Sequence, residues 1–222
     1  VGGRFVAGEW TTKKDWEKET GGQFKRQESQ FRNRIAPQGL YAPEADRYHL
    51  YVSYACPWAH RTLMVRALMG LDHVISVSAV HPLMTDNGWH FDPADPRFPT
   101  PDHLYGHDFL RELYLKADPH CTGRVTVPVL WDKKTESLVS NESKEIIRDM
   151  AIHFASLGTI DADLYPEALQ VTIDEAMDHF YEPINNGVYR CGFAGNQEAY
   201  EASLEELFGA LDHWDGVLRE QT

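Results

Sequence analysis

The residues best placed to do chemistry are Cys56-Pro57-Trp58-Ala59. The run before them, Tyr48-His49-Leu50-Tyr51-Val52-Ser53, reads as a strand. A short turn then feeds a helix started by Pro57, a first-turn position where proline's missing N–H removes no hydrogen bond. Cys56 thus stands at a helix N-terminus, where unsatisfied N–H groups and the positive end of the dipole favour a thiolate. Such a placement lowers a cysteine pKa from about 8.5 into the range of roughly 3.5–7.5. In a Cys-x-x-Cys pair the second thiol resolves a mixed disulfide from within, and Ala59 cannot do so. The chemistry that fits is a monothiol redox cycle that uses a small external thiol twice. On residue type alone a free cysteine reads as a small buried hydrophobe; it is the setting, with Trp58 and Arg61 in the helix's opening turns, that favours the reactive role. Cys121 and Cys191 follow no strand into a helix N-terminus and are read as spectators.

A second anion site is expected where Asn141-Glu142-Ser143 opens a helix running to about Ala155. Between 81 and 102 lie Pro82, Pro93, Pro96, Pro99 and Pro101, too many for regular structure, and a loop of that length in a compact domain is usually functional. It carries Asn87-Gly88-Trp89, whose indole fits a ligand contact and a packing anchor for the loop equally well. His103 and His107 face one way on a helix expected over His103–Ala117, but without a third ligand they are read as solvated residues rather than a metal site.

These residues need elements to hold them. The Cys56 helix ends at Gly70, and His73–Val80 reads as a second strand, so the order β-α-β implies a parallel pair with a right-handed crossover. Arg124 to Asp132 reads as one strand interrupted by Pro128, returning through a turn at 132–135 into Ser137–Ser140. Pro166 begins a helix with Leu169, Ile173, Ala176 and Phe180 on one stripe, ending around Pro183 to Gly187. Asn196 caps another, with Tyr200, Leu204, Leu207, Leu211 and Leu218 on its apolar face. Residues 1–46 show no sustained period and read as an extended arm packed by Phe5, Trp10, Trp16, Phe24 and Phe31. The division expected is an arm over 1–46, an α/β domain over 47–157 and a helical domain from 166 to 222. Two helices cannot bury their own stripes, so the sequence is expected to stop inside that last domain; a first residue of Val suggests an unrepresented natural start.

Composition limits the partners. The net charge is −13, and its distribution matters: residues 1–141 hold 17 basic and 17 acidic side chains, residues 142–222 hold 4 and 17. The acidic second half argues against nucleic acid or an anionic membrane, and an anionic small ligand belongs in the neutral first half. No apolar run approaches a membrane span and no signal peptide precedes the first strand. Three scattered cysteines point to a reducing compartment, hence the cytoplasm.

Taken together, the element order and Val127-Pro128 before a strand resemble the glutathione transferases. Tyr54-Ala55-Cys56-Pro57-Trp58-Ala59-His60-Arg61, Asn87-Gly88-Trp89, Gly123 to Asp132, Ser140-Asn141-Glu142-Ser143 and Asn185-Asn186-Gly187-Val188-Tyr189 more narrowly resemble glutathionyl-hydroquinone reductases, the Xi class. Thr20-Gly21-Gly22 with Phe24, and Phe31-Arg32, are similar to that class's N-terminal arm. The resemblance implies an α/β thioredoxin-like N-terminal domain followed by an all-α C-terminal domain, only partly present. It makes Cys56 the nucleophile, has Trp89, Arg124, Val127, Glu142 and Ser143 bind glutathione as co-substrate, and has Tyr189 hold the quinol ring and serve as a candidate proton donor. The family keeps the Val127–Pro128 bond in cis. Val127 would then offer its backbone to the peptide of glutathione, Ser143 its hydroxyl to the γ-glutamyl carboxylate, Glu142 its charge to the ammonium, and Arg124 positive charge to the anion. Arg124 and Glu142 also read as surface ion pairs. The implied partners are glutathione, glutathionyl-quinols and a second copy in a homodimer, with no metal. Two further readings stand beside this one: an omega-like thiol transferase or dehydroascorbate reductase, which needs Cys56 but neither Trp89 nor Tyr189 as ring contacts, and a non-catalytic interaction module, for which Cys56 is dispensable.

Overall fold

The structure, a computed structural model, describes residues 2–13 and 21–220; Trp16 and Thr20 lie outside the described residues. Two compact units are present, one of Val1–Lys13 with Glu28–Leu164, the other of Lys14–Gln27 with Tyr165–Thr222.

In chain order the first unit contains β1 (Arg4–Val6), β2 (Glu9–Thr11), β3 (Tyr48–Val52), α1 (Pro57–Leu68), β4 (Ile75–Ala79), α2 (Leu110–Ala117), β5 (Gly123–Arg124), β6 (Val129–Asp132), β7 (Ser137–Ser140) and α3 (Ser143–His153). The main sheet has the order β4-β3-β6-β7, with β3 parallel to β4 and antiparallel to β6. All five residues of β3 are buried, including Tyr48, Leu50, Tyr51 and Val52. A central strand enclosed on both faces loses the polar–apolar alternation, which is why this one reads as a continuous run. The core continues through the fully buried Trp131, Leu110 and Leu113, and truncating such a leucine to alanine costs about 2–5 kcal/mol. The expected β-α-β crossover and the β6–β7 hairpin are both present. Gly70 follows α1 with φ 63°, the left-handed position a helix end favours.

Three expectations in this unit are corrected. His103–Ala117 is not one helix: only Leu110–Ala117 is. Asp102 accepts the N–H of Leu104 (3.0 Å) and of His107 (3.2 Å), and Gly106 takes φ 68°, so the chain is held in turns until Glu112 caps the helix by accepting the Phe109 N–H at 2.8 Å. The Arg124–Asp132 strand is two pieces, since β5 and β6 belong to different sheets with a cis peptide bond at Val127–Pro128 between them. The start of the chain is not simply extended: β1 and β2 form a hairpin over Ala7 (φ 49°) and Gly8 (φ 86°), and β1 pairs antiparallel with β5. A Cβ on Gly8 would lie 2.1 Å from the Pro119 carbonyl oxygen, and the Gly8 N–H donates to the Cys121 carbonyl at 2.9 Å.

The second unit is helical: α4 (Gln170–Phe180), α5 (Gly187–Gly192) and α6 (Gln197–Glu220). The helix expected from Pro166 begins only at Gln170, after a 3-10 turn over Glu167–Leu169. The end expected around Pro183 to Gly187 is instead a change of helix type, α4 stopping at Phe180. A π-helical turn, Tyr181–Asn185, carries the path on towards α5, with the Asn186 N–H reaching the Tyr181 carbonyl at 2.8 Å. A widened turn tolerates a proline that cannot donate. Asn196 caps α6 as expected, its Oδ1 accepting the Ala199 N–H at 2.9 Å. The buried positions of α6 are Ala199, Ser203 and Leu207, whereas Tyr200, Leu211 and Leu218 of the expected stripe are exposed. No helix among the described residues is long and apolar enough to cross a membrane.

Candidate active site

Cys56 is the residue immediately before α1, in extended conformation (φ −106°, ψ 115°). Its N–H donates to the Ser53 carbonyl at 3.0 Å and its carbonyl accepts the first helical bond, from the His60 N–H, at 2.9 Å. Ser53 also accepts the Ala55 N–H through its hydroxyl, so the turn is pinned from both sides of the backbone. The half-buried thiol donates to the Val127 carbonyl at 3.7 Å. Ala59 is fully buried, so the position a resolving cysteine would occupy holds a methyl group sealed in the core. None of the three cysteines is in a disulfide.

Val127 is buried and precedes Pro128 in cis. The chain leading into it is fixed by Tyr114, whose hydroxyl donates to the Thr126 carbonyl (2.9 Å) and accepts both the Thr126 N–H (3.2 Å) and the Asn141 amide (3.1 Å). Burial pushes the Tyr114 phenol up, so it remains a protonated hub. Asn141 thereby ties the approach to Val127 to the start of α3.

At that start the helix opens within Asn141-Glu142-Ser143, as expected. The cap is Glu142, whose carboxylate accepts the Lys144 N–H at 3.1 Å, and Ser143 is the first helical residue. Ser29 donates its hydroxyl to the other Glu142 oxygen at 3.0 Å. Ser143 is buried, and its hydroxyl oxygen accepts two bonds from Arg61, from Nε at 3.0 Å and Nη2 at 2.7 Å. Nη2 of Arg61 also lies 3.8 Å from Glu142, and the guanidinium sits 4.9 Å from the centre of the Trp58 ring. The second turn of α1 is thus bound to the N-terminus of α3, whose body packs against α1.

Contacts therefore join Cys56 to Val127, and Arg61 to Glu142 and Ser143. Trp89 and Arg124 are positioned by elements of their own. Trp89 is half-buried after a turn closed by Thr85 and Gly88, packs against the core, and accepts the Leu110 N–H through its carbonyl at 3.0 Å. Arg124 is an exposed residue of β5, opposite Arg4 in the second sheet. Tyr189 belongs to the second unit, on α5, where Arg26 lies 4.3 Å over its ring and Phe24 and Phe193 stack at 6.3 and 6.2 Å. Arg26 is itself anchored by a 2.8 Å bond to the Asn186 amide oxygen. Sequence reasoning missed Ser29 and Tyr114, and noted Arg61 only as a first-turn cation; their bonds cross 113, 12 and 82 residues of chain, and no local pattern signals them. Among the described residues no group of three or more His, Cys, Asp or Glu is arranged to hold a metal ion.

Residues 55–151 match the family of the glutathione S-transferase N-terminal domain. The glutathionyl-hydroquinone reductase YqjG of Escherichia coli (strain K12) is 50% identical over 224 residues, spanning 97% of this chain and 68% of that protein. Its glutathione-bound structure superposes with a TM-score of 0.85, covering 98% of this chain and 67% of the other. The Xi class transferase of Natrialba magadii gives a TM-score of 0.89 at 50% identity, with 98% and 65% covered. The Schizosaccharomyces pombe protein named glutathione S-transferase omega-like 2 is 51% identical over 93% of this chain and 66% of its own length. The chain spans about two thirds of the length of these relatives.

Proposed function

We propose, from the premise that this chain belongs to the Xi class of glutathione transferases, the glutathionyl-hydroquinone reductases, that it reduces glutathionyl-hydroquinones with glutathione through a mixed disulfide on Cys56. The observation that carries the proposal is a half-buried thiol at the N-terminus of α1 with an alanine where an internal resolving thiol would stand.

In the proposed cycle the Cys56 thiolate attacks the glutathione sulfur of the substrate. The sulfur–aryl bond breaks, its electron pair leaves with the aryl carbon, and that carbon takes up a proton to give the free hydroquinone. A second glutathione thiolate then attacks the glutathione sulfur of the mixed disulfide, releasing oxidised glutathione and restoring Cys56. Two sulfurs lose one electron each and the aryl carbon gains two, so no other redox partner enters. Expelling carbon is the hard step and needs an acid at the ring; we assign that donor role, and a ring contact, to Tyr189. Helix N-termini at Cys56 and Ser143 suit a thiolate and a carboxylate respectively. Val127 offers backbone for strand-like pairing with the tripeptide, Glu142 an anion for its ammonium, Arg124 a cation and Trp89 an aromatic wall. The proposed assembly is a homodimer and the proposed compartment a reducing one, in keeping with cysteines outside disulfides.

The test is product analysis by mass spectrometry on protein, glutathione and a glutathionyl-hydroquinone, with Cys56→Ala alongside. Free hydroquinone and oxidised glutathione, both lost in the variant, are expected. A glutathione adduct on Cys56 without hydroquinone release would instead identify a thiol transferase.

A further inference from the structure

We propose that Arg61 is the positioning residue through which this protein distinguishes a glutathionyl group from other small disulfide-forming thiols; the inference rests on the reading of Cys56 given above. A serine hydroxyl has two acceptor lone pairs and one donor hydrogen. At Ser143 both lone pairs are taken by one guanidinium, from Nε at 3.0 Å and Nη2 at 2.7 Å. What remains is the hydrogen, directed away from Arg61, so the fork turns an ambivalent hydroxyl into a donor at a helix N-terminus. That is the chemistry for which a carboxylate is the matching ligand.

The same guanidinium bears on the neighbouring residue. Its Nη2 is 3.8 Å from one Glu142 oxygen, which also accepts the Lys144 N–H, while Ser29 holds the other oxygen at 3.0 Å. The Glu142 carboxylate is thereby held in place one residue from the Ser143 donor. An anion beside a donor at a helix N-terminus complements an amino-acid head with its ammonium and carboxylate on one carbon, which is the γ-glutamyl end of glutathione. Arg61 is itself held, by its seat against Trp58 at 4.9 Å and by belonging to the helix that Cys56 begins. One helix therefore carries the nucleophile and the residue that sets recognition of the distal end of its substrate.

A lysine cannot replace this arrangement, because a single ammonium does not present a planar fork to one oxygen. A purely structural staple between α1 and α3 would act on every reaction of Cys56 alike, which separates the two roles. The experiment measures the rate of mixed-disulfide formation on Cys56, by mass spectrometry, with oxidised glutathione and with bis(2-hydroxyethyl) disulfide, which lacks the amino-acid head, in the wild-type protein, R61K and R61Q. In each reaction the Cys56 thiolate displaces one thiolate from the disulfide. In R61Q the rate with oxidised glutathione is expected to fall about 10–100-fold, the range for loss of charge-assisted hydrogen bonds, while the rate with the neutral disulfide changes less than about twofold. R61K should fall between the two on glutathione alone. The unchanged neutral reaction also reports an intact fold, and R61K keeps the charge if R61Q does not fold. Equal losses with both disulfides, or no loss with either, would overturn the inference. Failure of wild-type Cys56 to react with either disulfide would overturn the redox reading itself, and the inference with it.

Discussion

The two cysteines of the first unit should differ in reactivity, and the burial of Cys121 says how far folding slows it. Cys121 is buried, and burial, reinforced by Asp118, pushes its thiol up to about 11. An ordinary cysteine near 8.5 is about 9% thiolate at pH 7.5, while one at 11 is about 0.03%, roughly a 300-fold deficit. The more basic thiolate is also the better nucleophile, and with a Brønsted slope of about 0.4–0.5 this returns roughly 10–18-fold. The net expectation is that Cys121 in the folded protein reacts about 15–30-fold more slowly with an aromatic disulfide than the same cysteine in the unfolded chain, before restricted access slows it further. Cys56, half-buried at a helix N-terminus, should react first. The assay follows release of the chromophoric thiol at pH 7.5, with peptide mapping of quenched samples in buffer and in denaturant, and Cys56→Ser as a control for assignment. If Cys121 is modified as fast in the folded as in the unfolded protein, the reasoning from burial is wrong.

Three other outcomes are expected. His49 is buried between Ser76 and Ser78, bonded to their hydroxyls at 2.7 and 2.9 Å, and burial lowers its pKa to about 4. The unfolded chain, near 6.5, then binds the extra proton between pH 6.5 and 4, so about 3 kcal/mol of stability present above pH 6.5 is lost as the pH falls to 4; denaturation of His49→Gln should show a shallower slope than wild type over this window, and identical slopes would refute it. Asp132 is fully buried; burial alone would raise its carboxyl, but Arg47 (2.8 and 2.6 Å) and Thr135 (2.7 Å) hold it below the usual carboxylate range, so Asp132→Ala strands a buried guanidinium and should cost about 3–5 kcal/mol in urea denaturation. Glu142→Gln keeps an oxygen to cap α3 but removes the charge, so the urea midpoint should stay close to wild type while mixed-disulfide formation with oxidised glutathione slows several-fold; an unchanged rate would remove Glu142 from recognition.

The sequence was most legible where one physical signal dominated. The buried run at Tyr48–Val52, proline at the start of α1 and Gly70 after it each force one local answer, and together they located Cys56 at a helix N-terminus. Reading failed where long-range bonds outbid local pattern. Tyr105, Phe109 and Leu113 have helical spacing, yet Asp102 and Gly106 commit the chain to turns before Phe109. The β1–β2 hairpin has strands of three residues, too short for a period to show, and its turn relies on Gly8 fitting beneath the carbonyl of Pro119. The 124–132 run looked continuous because its composition is, although its two ends join different sheets. At the candidate site residue types were visible from sequence, but the bonding of Arg61 to Ser143 was not, because nothing at position 61 announces a partner 82 residues away.

The pairing of β1 with β5 also sets an order of events on the ribosome. Strand Arg4–Val6 is among the first parts of this sequence to be made, yet its outer neighbour is Gly123–Arg124. At about 5–20 residues per second, it waits on the order of 6–24 s for that neighbour to be synthesised. During that interval the β3-α1-β4 unit around Cys56 can emerge whole, while Phe5, 1% exposed in the finished protein, lacks its final cover. A two-stranded ribbon is marginal alone in water, so the β1–β2 hairpin gains its stability only when the segment leading to Val127 arrives. Completion of the second sheet then also settles the backbone facing the Cys56 thiol, so the thiol is made early and its surroundings late.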